Sequence, residues 1–171
     1  MSAELLSIIN HTDNKNTRER ETRKIKNLLI GATGSVASIK IPFLTKALLE
    51  LDSNLSIKVC ATTHALHFFD PITLNSETGV QVFTDQDEWK DWNKISDPIL
   101  HIETCILRAW DSTRPVIVCP AMNTNMWNHP FTAKHLKVLD DELGYIVVPP
   151  ISVGAMAEYM TIVNYVQENL I

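Results

Sequence analysis

Ser35, Thr62, Thr63, His101 and Asn123 are side chains whose types and settings suit chemistry. Ser35 closes the turn Gly31-Ala32-Thr33-Gly34-Ser35, which follows the apolar run Leu28-Leu29-Ile30. A buried parallel strand can end at such a glycine, and a helix can be capped by such a serine. Backbone N–H groups and the positive end of a helix then meet at one point, an anion site whose natural guest is a phosphate. The full Gly-x-Gly-x-x-Gly fingerprint is absent, because Gly31 and Gly34 are the only glycines in this stretch. An ordinary strand-to-helix turn is therefore the competing reading. Thr62 and Thr63 follow a second apolar run at residues 56–61. Ligands of open α/β sheets sit outside the carboxyl ends of strands. Both hydroxyls are placed for the same guest, with simple helix capping by a threonine as the alternative. His101 lies between Leu100 and Ile102. Histidine as a residue type suits proton transfer near neutral pH, but on local grounds a satisfied, half-buried structural histidine is the first reading of this one. Asn123 opens the loop after the run at residues 115–120, where its amide NH₂ can donate to a carboxylate or an amide. Met122, Met126 and Trp127 can wall a flat, polarizable ligand, or the loop can pack its aromatic inward.

The elements that must position these groups follow from the apolar pattern. Strands are expected at residues 26–30, 56–61, 115–119 and 145–148, with a shorter candidate at 80–83. A helix is expected over 36–50, with Ile39, Phe43, Leu44, Ala47 and Leu48 inward and a kink at Pro42. Further helices are expected near Pro98, over 130–139 with Phe131 and Leu136 inward, and from about Thr161. Strands alternating with helices predict an α/β fold, a three-layer sandwich with a mainly parallel Rossmann-like sheet. Asp85, Asp87 and Glu88 crowd one turn near Trp89 and Trp92, and they read as a helix start rather than a metal site.

At 171 residues the chain fits one domain, over 25–171, with a polar extension over 1–24 that is expected to be disordered. Apolar residues make up 45% and charged residues 20%, which suits a globular core. A net charge of −5 leaves no excess of Lys or Arg to neutralise a nucleic-acid backbone. Cys60, Cys105 and Cys119 are odd in number and form no Cys-x-x-Cys pair, so neither a disulfide framework nor a zinc site is expected. With no long apolar segment either, the expected setting is cytoplasmic, away from a membrane.

Several stretches together resemble the phosphopantothenoylcysteine decarboxylase family, in its plant halotolerance-type branch. They are Gly34-Ser35-Val36-Ala37, Thr62 through Phe68, and DEWKDWNKISDPILHIE from Asp87 to Glu103. RAWD from Arg108, PAMNTNMW from Pro120 and GAMAE from Gly154 complete the set. The resemblance implies bound FMN, a homotrimer with active sites between subunits, and decarboxylation of 4′-phosphopantothenoylcysteine to 4′-phosphopantetheine in coenzyme A synthesis. In that reaction the flavin oxidises the substrate thiol to a thioaldehyde, carbon dioxide leaves, and the enethiolate is protonated and reduced. His101 resembles the catalytic histidine. Asn123 resembles the asparagine of the substrate-carboxylate and flavin site, with Met126 beside it at the substrate. Gly34, Ser35, Val36, Ala37, Thr62, Thr63 and Phe68 match the flavin site.

The chain departs from that pattern twice. After His101-Ile102-Glu103 the family continues with a helix, a buried strand and a Ser-Ala-Asn-Thr loop, whereas here Thr104-Cys105-Ile106 follows directly. Between Ile151 and Gly154 the family carries a flap with an Ala-Cys-Gly-Asp motif, and here only Ser152-Val153 remain. The sheet is thus expected to be one strand unit short, its first strand and the 115–119 strand either pairing directly or leaving a gap. The alternative to a working decarboxylase is an impaired flavoprotein or regulatory subunit, lacking the flap cysteine and part of the FMN site. Such a subunit could act in mixed trimers with a complete family member.

Overall fold

The computed structural model describes residues 26–90 and 110–170. Strand β1 (Lys26–Ala32) leads into a 3-10 turn (Val36–Lys40) and helix α1 (Ile41–Leu51). Strand β2 (Leu55–Ala61), a 3-10 turn (Ala65–His67) and α2 (Pro71–Thr78) follow, then β3 (Gln81–Thr84) and α3 (Asp85–Lys90). The second described stretch holds β4 (Ile117–Val118), the short α4 (Thr124–Trp127) and α5 (Pro130–Lys137). A π turn over Val138–Glu142 extends α5, and β5 (Ile146–Val147) and α6 (Tyr159–Leu170) end the order. The extension over 1–24, the expected helix near Pro98 and His101 itself lie outside the described residues.

Among the described residues all strand pairs are parallel, in keeping with an α/β fold. The described residues form two sheets, β1-β2-β3 and β4-β5. Lys26 pairs with Leu55 and Ala32 with Ala61 along one ladder, and Ile117 pairs with Ile146 along the other. β2 is the middle strand of its sheet, which accounts for its almost continuously apolar, buried residues. β1 and β4 are not hydrogen-bonded to each other, so the break falls where a strand unit was expected to be missing. The edge this leaves on β1 is half-open rather than sealed: Asn27 and Gly31 are exposed, and Leu28, Leu29 and Ile30 are half-buried.

One hydrophobic core serves both sheets. Leu48 of α1, Val59 of β2 and Val148 after β5 are fully buried in a cluster that also holds Ile162, Val163 and Val166 of α6. Helix α1 packs on α6, and burial of each such side chain contributes about 1.5–3 kcal/mol.

Three expected packings are corrected. Residues 36–51 are helical throughout, but the first turn is 3-10, and Pro42 falls in the first turn of α1, where no N–H is needed. Ile41, Leu44, Thr45 and Leu48 form the inward face, whereas Ile39 and Phe43 are exposed. Ile39 lies in the 3-10 turn, which rotates faster than an α-helix, so its apolar spacing falls out of phase; Phe43, inside α1, lies beside the Tyr159 ring of α6 instead. Phe131 is also exposed; it stacks on the His129 ring and lies under the Lys134 ammonium instead of entering the core.

Candidate functional site

The loop after β1 forms a cradle. Ser35 is extended, with φ −117° and ψ 146°, and its Oγ accepts from the Ala37 amide at 3.3 Å. Ser38 donates its hydroxyl to the Thr33 carbonyl at 2.8 Å, fixing the loop from within. The Val36 amide has no partner among the described residues, and its side chain is exposed. It is one of the N–H groups that a helix start leaves without an intrahelical partner. Gly34 is required by close approach: a Cβ there would come within 2.6 Å of the His64 Cβ. The loops after β1 and β2 therefore abut, and the Thr62 amide donates to the Ala32 carbonyl at 3.0 Å.

Thr62 and Thr63 differ in what they can offer. Thr62 Oγ1 caps the next turn, accepting from the Ala65 amide at 3.4 Å, so the capping alternative describes its geometry. Thr63 donates both its amide (3.4 Å) and its hydroxyl (2.7 Å) to Asp85 Oδ2. That bond ties the ends of β2 and β3 together and occupies the Thr63 proton. Asp87 likewise accepts from the Thr84 amide and hydroxyl, both at 2.9 Å, so two of the crowded carboxylates start α3. Among the described residues no three His, Cys, Asp or Glu gather as metal ligands. Phe68 is half-buried just past the 3-10 turn.

Asn123 caps α4: its Oδ1 accepts from the Met126 amide at 2.9 Å. That bond fixes the amide orientation and leaves Nδ2 without a partner among the described residues. Asn123 and Met126 are both exposed. Trp127 instead lines an open groove of about 500 Å³ with Val147, Pro149 and Pro150. Behind the Asn123 loop lies Gly154, buried, with φ +76°. The Met122 amide donates to the Gly154 carbonyl at 2.9 Å, and a Cβ on Gly154 would stand 2.2 Å from the Met122 carbonyl oxygen. Gly154 sits in a tight turn in which the Ala155 amide donates to the Ser152 carbonyl and the Ile151 amide to the Ala155 carbonyl, both at 3.1 Å. Ser152-Val153 thus close the chain as a turn where a flap was missed.

Neither described thiol is poised to react. Burial pushes the Cys119 thiol up to about 11. Burial also raises Cys60, against a smaller opposing pull from Lys58. A thiolate is the reactive form, and desolvation disfavours it. Cys105 lies outside the described residues.

Parallel strands alternating with helices, with small-residue loops at the strands' carboxyl ends, define an open-sheet α/β protein. The Flavoprotein family model matches residues 15–106 and 103–171, two segments that meet where the strand unit is missing. Phosphopantothenoylcysteine decarboxylase of Arabidopsis thaliana is 40% identical over 182 positions, covering 84% of this chain and 82% of that protein. Since 84% of 171 residues is about 144, about 38 of those positions have no counterpart here. The Mus musculus enzyme of the same name is 37% identical, covering 86% of this chain and 88% of its own length. A solved PPC decarboxylase mutant, complexed with pantothenoylaminoethenethiol, superposes with a TM-score of 0.74 at 38% identity, covering 85% of this chain and 98% of that one. The chain belongs to the phosphopantothenoylcysteine decarboxylase family of flavoproteins.

His101 could not have been placed by geometry, since it is outside the described residues. Sequence reading missed Asp85 as the partner of Thr63 and Gly154 as the support of Asn123. The positive-φ requirement at a lone glycine inside GAMAE was the available signal for the second.

Proposed function

We propose that this chain carries FMN-dependent decarboxylation of 4′-phosphopantothenoylcysteine, the route to 4′-phosphopantetheine in coenzyme A synthesis. The carrying observation is the pairing of the Gly34–Ala37 turn, whose Val36 amide has no partner among the described residues, with Asn123, whose Oδ1 is held by the Met126 amide and whose Nδ2 has no partner among the described residues. The cradle fits the phosphate end of a flavin: Gly34 adds no side chain, Ser35 Oγ and the Val36 amide are polar, and Thr62 lies on the adjoining loop. When bound, FMN supplies the two-electron oxidation of the substrate thiol. The chain's own residues bind and orient: Asn123 Nδ2 donates to the substrate carboxylate, Met126 flanks it, and Phe68, Val36 and Ala37 pack against the cofactor. His101 serves proton transfer in this reading. The setting is cytoplasmic and the assembly a homotrimer, or a mixed trimer with a complete family member; among the described residues no helix is long and apolar enough to cross a membrane.

The Ser152–Ala155 turn favours a second reading of the same site. No flap projects there, and the desolvated thiols of Cys60 and Cys119 are unsuited to supplying the proton that lets the reduced flavin return its two electrons to the enethiolate. Alone, the chain then stops after carbon dioxide leaves, an impaired flavoprotein that a complete partner would finish for. The test of the main reading is carbon dioxide release from substrate by FMN-loaded protein, with His101→Asn as control. Release that depends on FMN and on His101 supports it; FMN-loaded protein that releases none overturns it.

A further inference from the structure

Lys40 ends the 3-10 turn whose other end is the Ser35 cradle. Its Nζ donates to the Met156 carbonyl, the Ala157 carbonyl and Glu158 Oε1, each at 3.2 Å. An ammonium has three donors, and here all three are engaged. The side chain is 22% exposed, against 47% for both partners of the Lys46–Glu77 pair. Two of its three acceptors are main-chain carbonyls, so it holds the path of the backbone and not merely a mobile carboxylate. That path runs back two residues to Gly154, whose carbonyl accepts from the Met122 amide and whose Cα lies against Met122. Met122 immediately precedes Asn123. A continuous series of contacts thus joins the cradle after β1 to the loop after β4, across two sheets that share no ladder.

We propose that Lys40 is a positioning residue that holds the Asn123 loop in place relative to the phosphate cradle, and so sets where the substrate carboxylate lies against the flavin. This deepens the proposed function and rests on it for the identity of the two ligands. The cradle's own bonds, Ser35 Oγ to Ala37 and Ser38 Oγ to Thr33, do not involve Nζ. Losing Nζ should therefore spare the cofactor and loosen the substrate.

The experiment uses Lys40→Met, which keeps the stem and removes the donors. FMN affinity should stay within about two-fold, as for groups that share no partner. Affinity for 4′-phosphopantothenoylcysteine, read anaerobically from the visible spectrum of the bound flavin, should fall about ten-fold or more, as expected when a binding group is misplaced. Hydrogen exchange at the Met122 amide should rise about ten-fold through local opening. Lys40→Arg should recover part of both changes, and Glu158→Gln should produce little of either. Lys40→Gln, which keeps a neutral donor, substitutes if Lys40→Met folds poorly, with the same expected direction. Unchanged Met122 exchange overturns the proposal, as does an equal fall in both affinities. If the unmutated chain binds no FMN, the proposed function fails by itself, and Met122 exchange still decides whether Lys40 holds the loop.

Discussion

Replacing Gly154 with alanine tests how the missing flap was closed. The residue has φ +76°, and an L side chain there costs about 1–2 kcal/mol. The new Cβ would also stand 2.2 Å from the Met122 carbonyl oxygen, and backbone cannot rotate away as a side-chain tip can. Forcing it apart adds about 1–3 kcal/mol, the range for overpacking. The sum is about 2–5 kcal/mol, which at about 2–4 °C per kcal/mol for a chain of this size lowers Tm by about 4–20 °C. Gly79 is the internal control: its φ is +72°, yet a Cβ there meets nothing within 4 Å. Gly79→Ala should show only the conformational part, about 1–2 kcal/mol. Paired thermal and denaturant unfolding of the two variants separates strain from collision. A Gly154→Ala protein no less stable than Gly79→Ala would refute the close approach to Met122, and with it the support of Asn123.

Leu48→Ala, in the core that both sheets share, should cost about 2–5 kcal/mol by denaturant unfolding; a cost near zero would mean that the core is not continuous. The Thr73 hydroxyl, with the Thr73 and Ile72 amides, holds the Asp70 carboxyl below its usual range. Its folded-state value is depressed, so its contribution is present above the unfolded carboxylate value of about 4 and is lost as pH falls through the folded one. The stability gap between the unmutated chain and Asp70→Asn should therefore close on acidification, and a gap that widens would contradict the capping geometry. Cys119, at about 11 against an ordinary thiol near 9, should be alkylated by iodoacetamide on the order of 100-fold more slowly than a peptide thiol, as followed by peptide mass. Labelling at the peptide rate would return it to the list of reactive groups.

The parts of this fold that punctuation announces were legible in the sequence. Gly31 and Ser35 bracket the cradle, and the apolar run at 56–61 became the buried middle strand β2. The broken sheet was legible only through the resemblance, because nothing local in Leu28-Leu29-Ile30 says which neighbour a strand lacks. Ile39 misled, since a helical period was read through a 3-10 turn, and Phe43 misled because it rests beside the Tyr159 ring without being buried. Phe131 misled because stacking on His129 and Lys134 covers it without burial. Lys40 was out of reach: its acceptors lie 116 to 118 residues away, and a lysine in a helical pattern reads as a solvated charge. Thr63 and Asp85, 22 residues apart, were hidden for the same reason.

The central claim is that the site binds and decarboxylates, while the enethiolate lacks the flap cysteine that would protonate it so that the reduced flavin can return its electrons. Anaerobic mixing of FMN-loaded protein with excess 4′-phosphopantothenoylcysteine, followed by mass analysis of the products, tests it most directly. The account predicts about one decarboxylated enethiol per bound FMN, with the flavin left reduced and turnover stopped. Sustained formation of 4′-phosphopantetheine over many turnovers by this chain alone, or no decarboxylation at all, would contradict it.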